Sequence, residues 1–175
     1  MKVLIAVDLQ NDFIDGALGT PEASAMLPAA LRRIREFDGP VLFTRDTHGP
    51  DYPQTREGRA LPVPHCIAGT DGWQIAPSLQ PYAAEIIEKP TFGSTALAQM
   101  LSAINQGTPV EKITLIGLCT DICVISNALC LKAQLWETPI TVWRDCCAGV
   151  TPESHENALK AMSACQTIIE GGTQA

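Results

Sequence analysis

Aromatic residues make up only 5% of this 175-residue sequence, and histidine occurs only three times. No apolar run approaches the roughly 20 residues that span a bilayer, so we expect no contact with a membrane. The 12 basic residues are outnumbered by 19 acidic ones and form no basic patch, which argues against nucleic acid as a partner. Because the N-terminal residues also lack the pattern of a secretory signal, we expect a cytoplasmic protein.

The seven cysteines are an odd number, and their spacing does not match the paired patterns of zinc fingers. In a reducing compartment they are expected to be free thiols. Hydrophobic residues make up 46% of the sequence and charged residues 18%, which is typical of a globular protein with a core. We find no internal repeat or linker, and therefore expect a single domain over residues 1–175.

Short apolar runs alternate with helical patterns along the whole chain, which predicts an α/β fold with a parallel sheet between two layers of helices. The strands are predicted at residues 2–8, 40–44, 85–88, 113–117, 139–142 and 167–170. The helices are predicted at residues 21–37, 94–104, 121–135 and 151–165.

The fourth predicted strand leads directly into a helix that Thr120 or Asp121 could cap. Cys123 therefore falls in the first turn of that helix. The positive end of the helix dipole favours a thiolate there, and the free amides of the turn could hold an oxyanion. The alternative is a buried core cysteine, since cysteine is among the most often buried residue types.

Polar residues follow several predicted strands, among them Asp8, Asp46, Lys89 and Asp145. Because ligands of open α/β sheets bind at the carboxyl ends of the strands, Asp8 and Lys89 can converge on Cys123. A carboxylate there can take a proton from a thiol, and a lysine favours the thiolate. The alternative for both residues is a solvent-exposed strand end.

A long irregular segment, residues 47–81, contains two of the three histidines, which favours a functional role. Asp46 and His48 are two residues apart in an extended segment and point to the same side. His65 could complete a site for a metal ion with open coordination positions, and Glu57 could be a fourth ligand. This spacing alone does not distinguish a metal site from surface residues.

Three motifs, in this order and spacing, resemble those of the isochorismatase-like cysteine hydrolases, and within them the nicotinamidases (pyrazinamidases). The motifs are VDLQNDF at residues 7–13, EKPTFGST at residues 88–95 and GLCTDICV at residues 117–124. The resemblance implies Asp8 as the catalytic acid, Lys89 as the catalytic lysine and Cys123 as the nucleophile. It also implies that the amides of Cys119 and Cys123 form the oxyanion hole, with a cis peptide bond before Cys119.

Two further segments, TRDTHG at residues 44–49 and PHCIAGTDG at residues 64–72, are similar to the metal-binding segments of nicotinamidases. The resemblance implies Asp46, His48 and His65 as ligands of a divalent ion, zinc first, with manganese and iron as alternatives. For the six strands of the sheet we expect the order 3-2-1-4-5-6.

The resemblance places Phe13 in the pocket for a pyridine ring, whereas Pro62 stands where nicotinamidases usually carry a second aromatic residue. The implied function is hydrolysis of a small carboxamide, nicotinamide first, to the acid and ammonia through a thioester, in the salvage of NAD. Alternatives are another small amide, a ureido compound or a vinyl ether as substrate, or a metal-binding module without catalysis. A homo-oligomer is expected.

Overall fold

Six parallel strands form the centre of the computed structural model, which describes residues 1–172. Their order, β3-β2-β1-β4-β5-β6, confirms the prediction. The strands are β1 (Lys2–Val7), β2 (Val41–Asp46), β3 (Glu85–Lys89), β4 (Lys112–Leu118), β5 (Ile140–Ala148) and β6 (Ile168–Glu170). The helices are α1 (Asn11–Ile14), α2 (Pro21–Glu36), α3 (Arg56–Ala60), α4 (Thr95–Gly107), α5 (Ile125–Gln134) and α6 (Pro152–Ala164).

After Lys2, strand β1 is apolar at every position rather than at alternate ones, because both of its faces are covered. Val3, Ile5 and Val7 belong to a core shared with α4, α5 and α6, whereas Leu4 and Ala6 belong to a second core shared with α2. A parallel strand covered on both faces needs apolar residues on both. The three-layer α/β architecture predicted from the sequence is therefore confirmed.

The connection after β4 differs from the prediction, because a π-helical turn, Thr120–Val124, precedes α5. Neither predicted cap is formed. The hydroxyl of Thr120 is instead hydrogen-bonded to Nδ1 of His155 at 2.8 Å, and Oδ1 of Asp121 accepts from the amide of Val150 at 3.0 Å. Both side chains thus tie the turn to the segment around the start of α6 rather than to its own amides.

Strand β5 is longer than predicted, and its pairing with β4 is irregular. Val142 lies opposite Leu115, but Cys147 lies opposite Gly117, so five residues of β5 cover the length of two residues of β4. Asp145 falls among the extra residues and is exposed. The prediction that it follows the end of the fifth strand is therefore wrong.

The loops expected at residues 11–20 and 47–81 contain the short helices α1 and α3. Helix α3 is stabilised at its start by Thr55, whose hydroxyl accepts from the amide of Gly58 at 2.9 Å. Phe13 in α1 is buried. None of the helices that the structure describes is both long and apolar enough to cross a bilayer.

Candidate active site and metal centre

Three ionisable side chains and one thiol meet at the carboxyl edge of the sheet, around the ammonium group of Lys89. Its Nζ lies 2.6 Å from Oδ2 of Asp8, 3.4 Å from Oδ1 of Asp46 and 3.6 Å from Sγ of Cys123. All four residues are buried, with at most 4% of their surface exposed. The structure therefore brings together the acid, lysine and cysteine that the sequence predicted.

The sheet register puts these groups side by side. Asp46 and Lys89 are paired positions at the ends of β2 and β3. Asp8 follows β1 with a positive φ of 47°, and its Oδ1 accepts from the hydroxyl of Thr44 at 2.6 Å. The site is thus built from strand ends that are far apart in the sequence and adjacent in the sheet.

Gly117 allows β4 to approach β1 closely just before the turn that carries Cys123. Its φ is +121°, and a Cβ atom at this position would lie 2.0 Å from the carbonyl oxygen of Val7. After the turn, Nδ2 of Asn127 donates to the carbonyl of Cys123 at 2.8 Å, while its Oδ1 accepts from the amide of Ser94 at 3.0 Å. Asn127 therefore links the cysteine turn to the start of α4.

Sequence reasoning missed two of the residues that position the site, Asn127 and Gln10. Oε1 of Gln10 accepts from the amide of Asp46 at 2.7 Å, and its Nε2 donates to the carbonyl of Asp46 at 2.9 Å. Gln10 lies a few residues after strand β1 and is fully buried. Its place inside the motif VDLQNDF was the signal that could have found it.

Burial dominates the protonation of the acid and the thiol. It raises the pKa of Asp8, with Lys89 acting in the opposite direction. Burial also raises the pKa of Cys123 well above its usual value, and the carboxylate of Asp8 adds to this effect. For Lys89, burial lowers the pKa, but the neighbouring anions, Asp8 first, outweigh it and keep the amine charged.

The raised pKa of Cys123 runs against the expectation that the helix start would favour a thiolate. Burial beside the carboxylate of Asp8 raises the pKa of Cys123 and so favours the neutral thiol over the thiolate. A base must take its proton when the sulfur reacts. The carboxylate of Asp8 borders this thiol.

A second cluster adjoins the first through Asp46. Donor atoms of Asp46, His48, Glu57 and His65 all lie within 4.8 Å of one another. Oδ2 of Asp46 is 3.0 Å from Nε2 of His48 and 3.8 Å from Nε2 of His65, and Oε1 of Glu57 is within 3.7 Å of both rings. The structure thus brings together the predicted ligand set, with Glu57 close enough to be its fourth member.

The cluster has the chemistry of a site for a divalent ion. Nε2 of His48 is buried and, within residues 1–172, has no hydrogen bond of good geometry. Nδ1 of His65 is 2.8 Å from the carbonyl of Val63, which leaves its Nε2 free to face the cluster. Two imidazoles and two carboxylates suit zinc, and also manganese or iron.

Asp12 holds the segment that carries His65 against helix α1. Its Oδ2 accepts from the amide of Cys66 at 2.7 Å, directly after this histidine. The ring of Phe13 packs edge-on against the ring of His65, with centroids 5.5 Å apart. Because of these contacts, Phe13 and His65 line the same cavity.

A cavity of about 410 Å³ opens above both clusters. It is lined by Phe13, Leu18, Thr20, Asp46, Glu57, Ala60, Leu61, His65, Phe92, Cys119, Ile122, Cys123 and Val150. The peptide bond before Cys119 is cis. Pro62, the position of the missing aromatic, is exposed and is not part of this lining, whereas Leu61 is.

Comparison with known proteins places this site in context. The nicotinamidase/pyrazinamidase of Mycobacterium tuberculosis is 29% identical over 178 residues, covering 93% of this chain and 94% of that protein. The structure of pyrazinamidase of Pyrococcus horikoshii in complex with zinc has a TM-score of 0.80 and 30% identity, covering 98% and 99% of the two chains. N-carbamoylsarcosine amidase from Thermoplasma acidophilum has a TM-score of 0.75 and 28% identity, covering 99% and 98%.

The chain is similar over nearly its full length to proteins that cleave amides. It is therefore an enzyme of the hydrolase class. The Isochorismatase domain model matches residues 2–172. The chain therefore belongs to the isochorismatase family, which confirms the resemblance seen in its motifs.

Proposed function

We propose that the protein is a metal-assisted cysteine amidohydrolase that converts a small carboxamide, nicotinamide first, to the carboxylic acid and ammonia. One observation carries the proposal: the ammonium of Lys89 contacts both Asp8 and Cys123, and Cys123 lines a cavity together with three of the four donor residues, Asp46, Glu57 and His65. Several relatives are named nicotinamidases, among them those of Mycobacterium tuberculosis and Escherichia coli, which supports this choice of substrate.

In the first step, the sulfur of Cys123 attacks the carbonyl carbon while its proton passes to Asp8. The raised pKa of Asp8, which burial causes, suits a group that must accept this proton. The carbonyl oxygen becomes an oxyanion, which the amides of Cys119 and Cys123 bind. Because Lys89 stays charged, it stabilises the site as the negative charge moves from the carboxylate to the substrate.

In the second step, the carbon–nitrogen bond breaks and Asp8 returns its proton to the leaving nitrogen, which departs as ammonia. The acyl group stays on Cys123 as a thioester. A water molecule then attacks the thioester and gives a proton to Asp8, which passes it to the departing sulfur. The acid is released, and the thiol and carboxylate are restored.

The cluster of Asp46, His48, Glu57 and His65 would hold a divalent ion, zinc first. A bound ion would supply a Lewis acid for the ring nitrogen of the substrate and for ordered water. Asp46 belongs to both clusters, since one carboxylate oxygen faces Lys89 and the other faces the histidines. This residue therefore couples the position of the lysine to that of the donor set.

A second candidate substrate class is the ureido compounds, which the similarity to N-carbamoylsarcosine amidase favours. The same acid, lysine and cysteine would cleave their carbon–nitrogen bond. A metal-binding module without catalysis has less support, since binding alone does not require a buried cysteine beside a base. The expected cytoplasmic location and homo-oligomer remain predictions.

Release of ammonia from a panel of amides tests the proposal. Nicotinamide and pyrazinamide carry a ring nitrogen that can face the donor cluster, and benzamide does not. We expect kcat/KM for nicotinamide to be at least about tenfold higher than for benzamide, or about 1.4 kcal/mol in transition-state binding. No ammonia from nicotinamide, or equal values for the two amides, would refute the nicotinamidase assignment, and activity on an N-carbamoyl amino acid would support the ureido alternative.

A further inference from the structure

The cavity above Cys123 is larger than the substrate proposed for it. Its volume is about 410 Å³. Nicotinamide occupies on the order of 130 Å³, the volume of four or five water molecules at about 30 Å³ each. A metal ion with its water molecules would fill a similar volume at most, so well over about 100 Å³ remains beside the ring.

Part of the cavity wall is apolar and partly open to solvent. Leu61, Phe92 and Val150 line the cavity although they are 38%, 44% and 51% exposed. Only seven large apolar side chains within residues 1–172 are exposed, and these three converge on one cavity. Apolar side chains gathered at the mouth of a pocket mark a place where a ligand covers them.

The orientation of a bound ring directs one of its positions toward this wall. On a pyridine ring, the nitrogen, the carbon with the carboxamide and the carbon at position 5 point in three evenly spaced directions. In the orientation that the proposed function requires, the carboxamide would meet Cys123 and the nitrogen would face His65 and Glu57. Position 5 would then point away from both of these groups, which leaves the other lining side chains, most of them apolar, to contact a substituent there.

We propose that the preferred substrate is a pyridine-type carboxamide with an apolar substituent, which packs against Leu61, Phe92 and Val150. This inference rests on the proposed amidohydrolase function and specifies its substrate class. Leu61 is the residue most directly concerned, since it lines the cavity and is still 38% exposed.

The test compares 5-propylnicotinamide with nicotinamide in zinc-loaded protein. We expect kcat/KM to be at least about fivefold higher for the propyl compound, because apolar carbons leave water. Leu61→Gln should lower the ratio of the two values at least about threefold, and Val150→Gln should act in the same direction. Leu129→Gln is the matched control, since Leu129 is also 38% exposed but does not line the cavity.

Calorimetric binding to Cys123→Ala separates this inference from the proposed function. Tighter binding of 5-propylnicotinamide than of nicotinamide would support the inference even if neither amide released ammonia, an outcome that would refute the amidohydrolase assignment. If nicotinamide is hydrolysed but the propyl compound is turned over no better and bound no more tightly, the inference is wrong. An equal effect of Leu61→Gln and Leu129→Gln on the ratio would overturn the role of the apolar wall.

Discussion

Nζ of Lys89 lies 2.6 Å from Oδ2 of Asp8, and these side chains are only 1% and 0% exposed. The same ammonium reaches Oδ1 of Asp46 at 3.4 Å, so one cation balances two buried carboxylates. Lys89→Met should therefore lower the free energy of unfolding by about 3–5 kcal/mol, because it leaves buried charge without a partner. Urea unfolding of the native protein and the variant measures this difference.

The double variant Lys89→Met with Asp8→Asn is the control, since it removes the negative charge of Asp8 together with the positive charge of Lys89. It should recover part of the lost stability but no activity. A single variant as stable as the native protein would show that the buried carboxylates do not depend on the lysine.

Cys123→Ala should abolish release of ammonia and change the melting temperature little, because the side chain lies on the wall of an open cavity. Cys130→Ala and Cys165→Ala should keep most of the activity, since neither side chain lines that cavity. Ammonia assays and thermal denaturation of the three variants measure both effects. Appreciable turnover by Cys123→Ala would exclude a covalent thioester.

The donor cluster should bind about one divalent ion per chain, and a strong chelator should remove most of the activity. His48→Ala should lower the amount of bound zinc, measured by elemental analysis after dialysis. His155→Gln is the matched control, because this histidine lies outside the cluster and should leave the zinc content unchanged. Full activity in protein freed of metal would show that catalysis needs no ion.

Gly117→Ala should lower the free energy of unfolding by about 1–3 kcal/mol or more. A Cβ atom at this position would clash with the carbonyl oxygen of Val7, and the positive φ of residue 117 is strained for any residue other than glycine. Gly107→Ala offers a contrast, since nothing lies within 4 Å of a Cβ atom at that position. This change at the end of α4 should be neutral or stabilising, by up to about 1 kcal/mol. Urea unfolding of both variants checks the difference, which would vanish if β4 could shift away from β1.

His155 should make stability depend on pH. Burial lowers its pKa, so the folded protein binds this proton less readily than the unfolded chain, whose histidines titrate near about 6.5. The free energy of unfolding should therefore fall as the pH decreases through that value. As the pH decreases from about 7.5 to about 5.5, the free energy of unfolding should fall less for His155→Gln than for the native protein, measured by urea unfolding. Equal dependence of this free energy on pH in the two proteins would contradict the prediction.

The sequence predicted those parts of the site that depend on strand ends. Asp8, Asp46 and Lys89 each end an apolar run, and a parallel sheet brings such ends to one edge. The pKa of Cys123 could not be predicted in this way, because it depends on burial beside Asp8, a residue more than a hundred positions away. The local helix-dipole argument leaves out this burial, which acts on the pKa of Cys123 in the opposite direction.

The errors in the predicted fold have a similar origin. Asp145 looked like a strand-end residue because the bulge in β5 depends on its pairing with β4, which no local pattern shows. Thr120 looked like a helix cap, but its hydroxyl instead pairs with His155, 35 positions along the chain. The start of α6 depends on partners near in sequence instead, since the hydroxyl of Thr151 accepts from the amide of Ser154, and this helix was predicted correctly.

Lys89 is carried by β3, which pairs only with β2 and forms one edge of the sheet. Of the five residues of this strand, Lys89 alone is buried. Such an edge strand can detach at a lower free energy than global unfolding requires, in the manner of a separate foldon. Each opening would withdraw the ammonium from both acids at once, so we expect amide exchange in β3 to be faster than in β1, and heat inactivation to begin below the global melting transition.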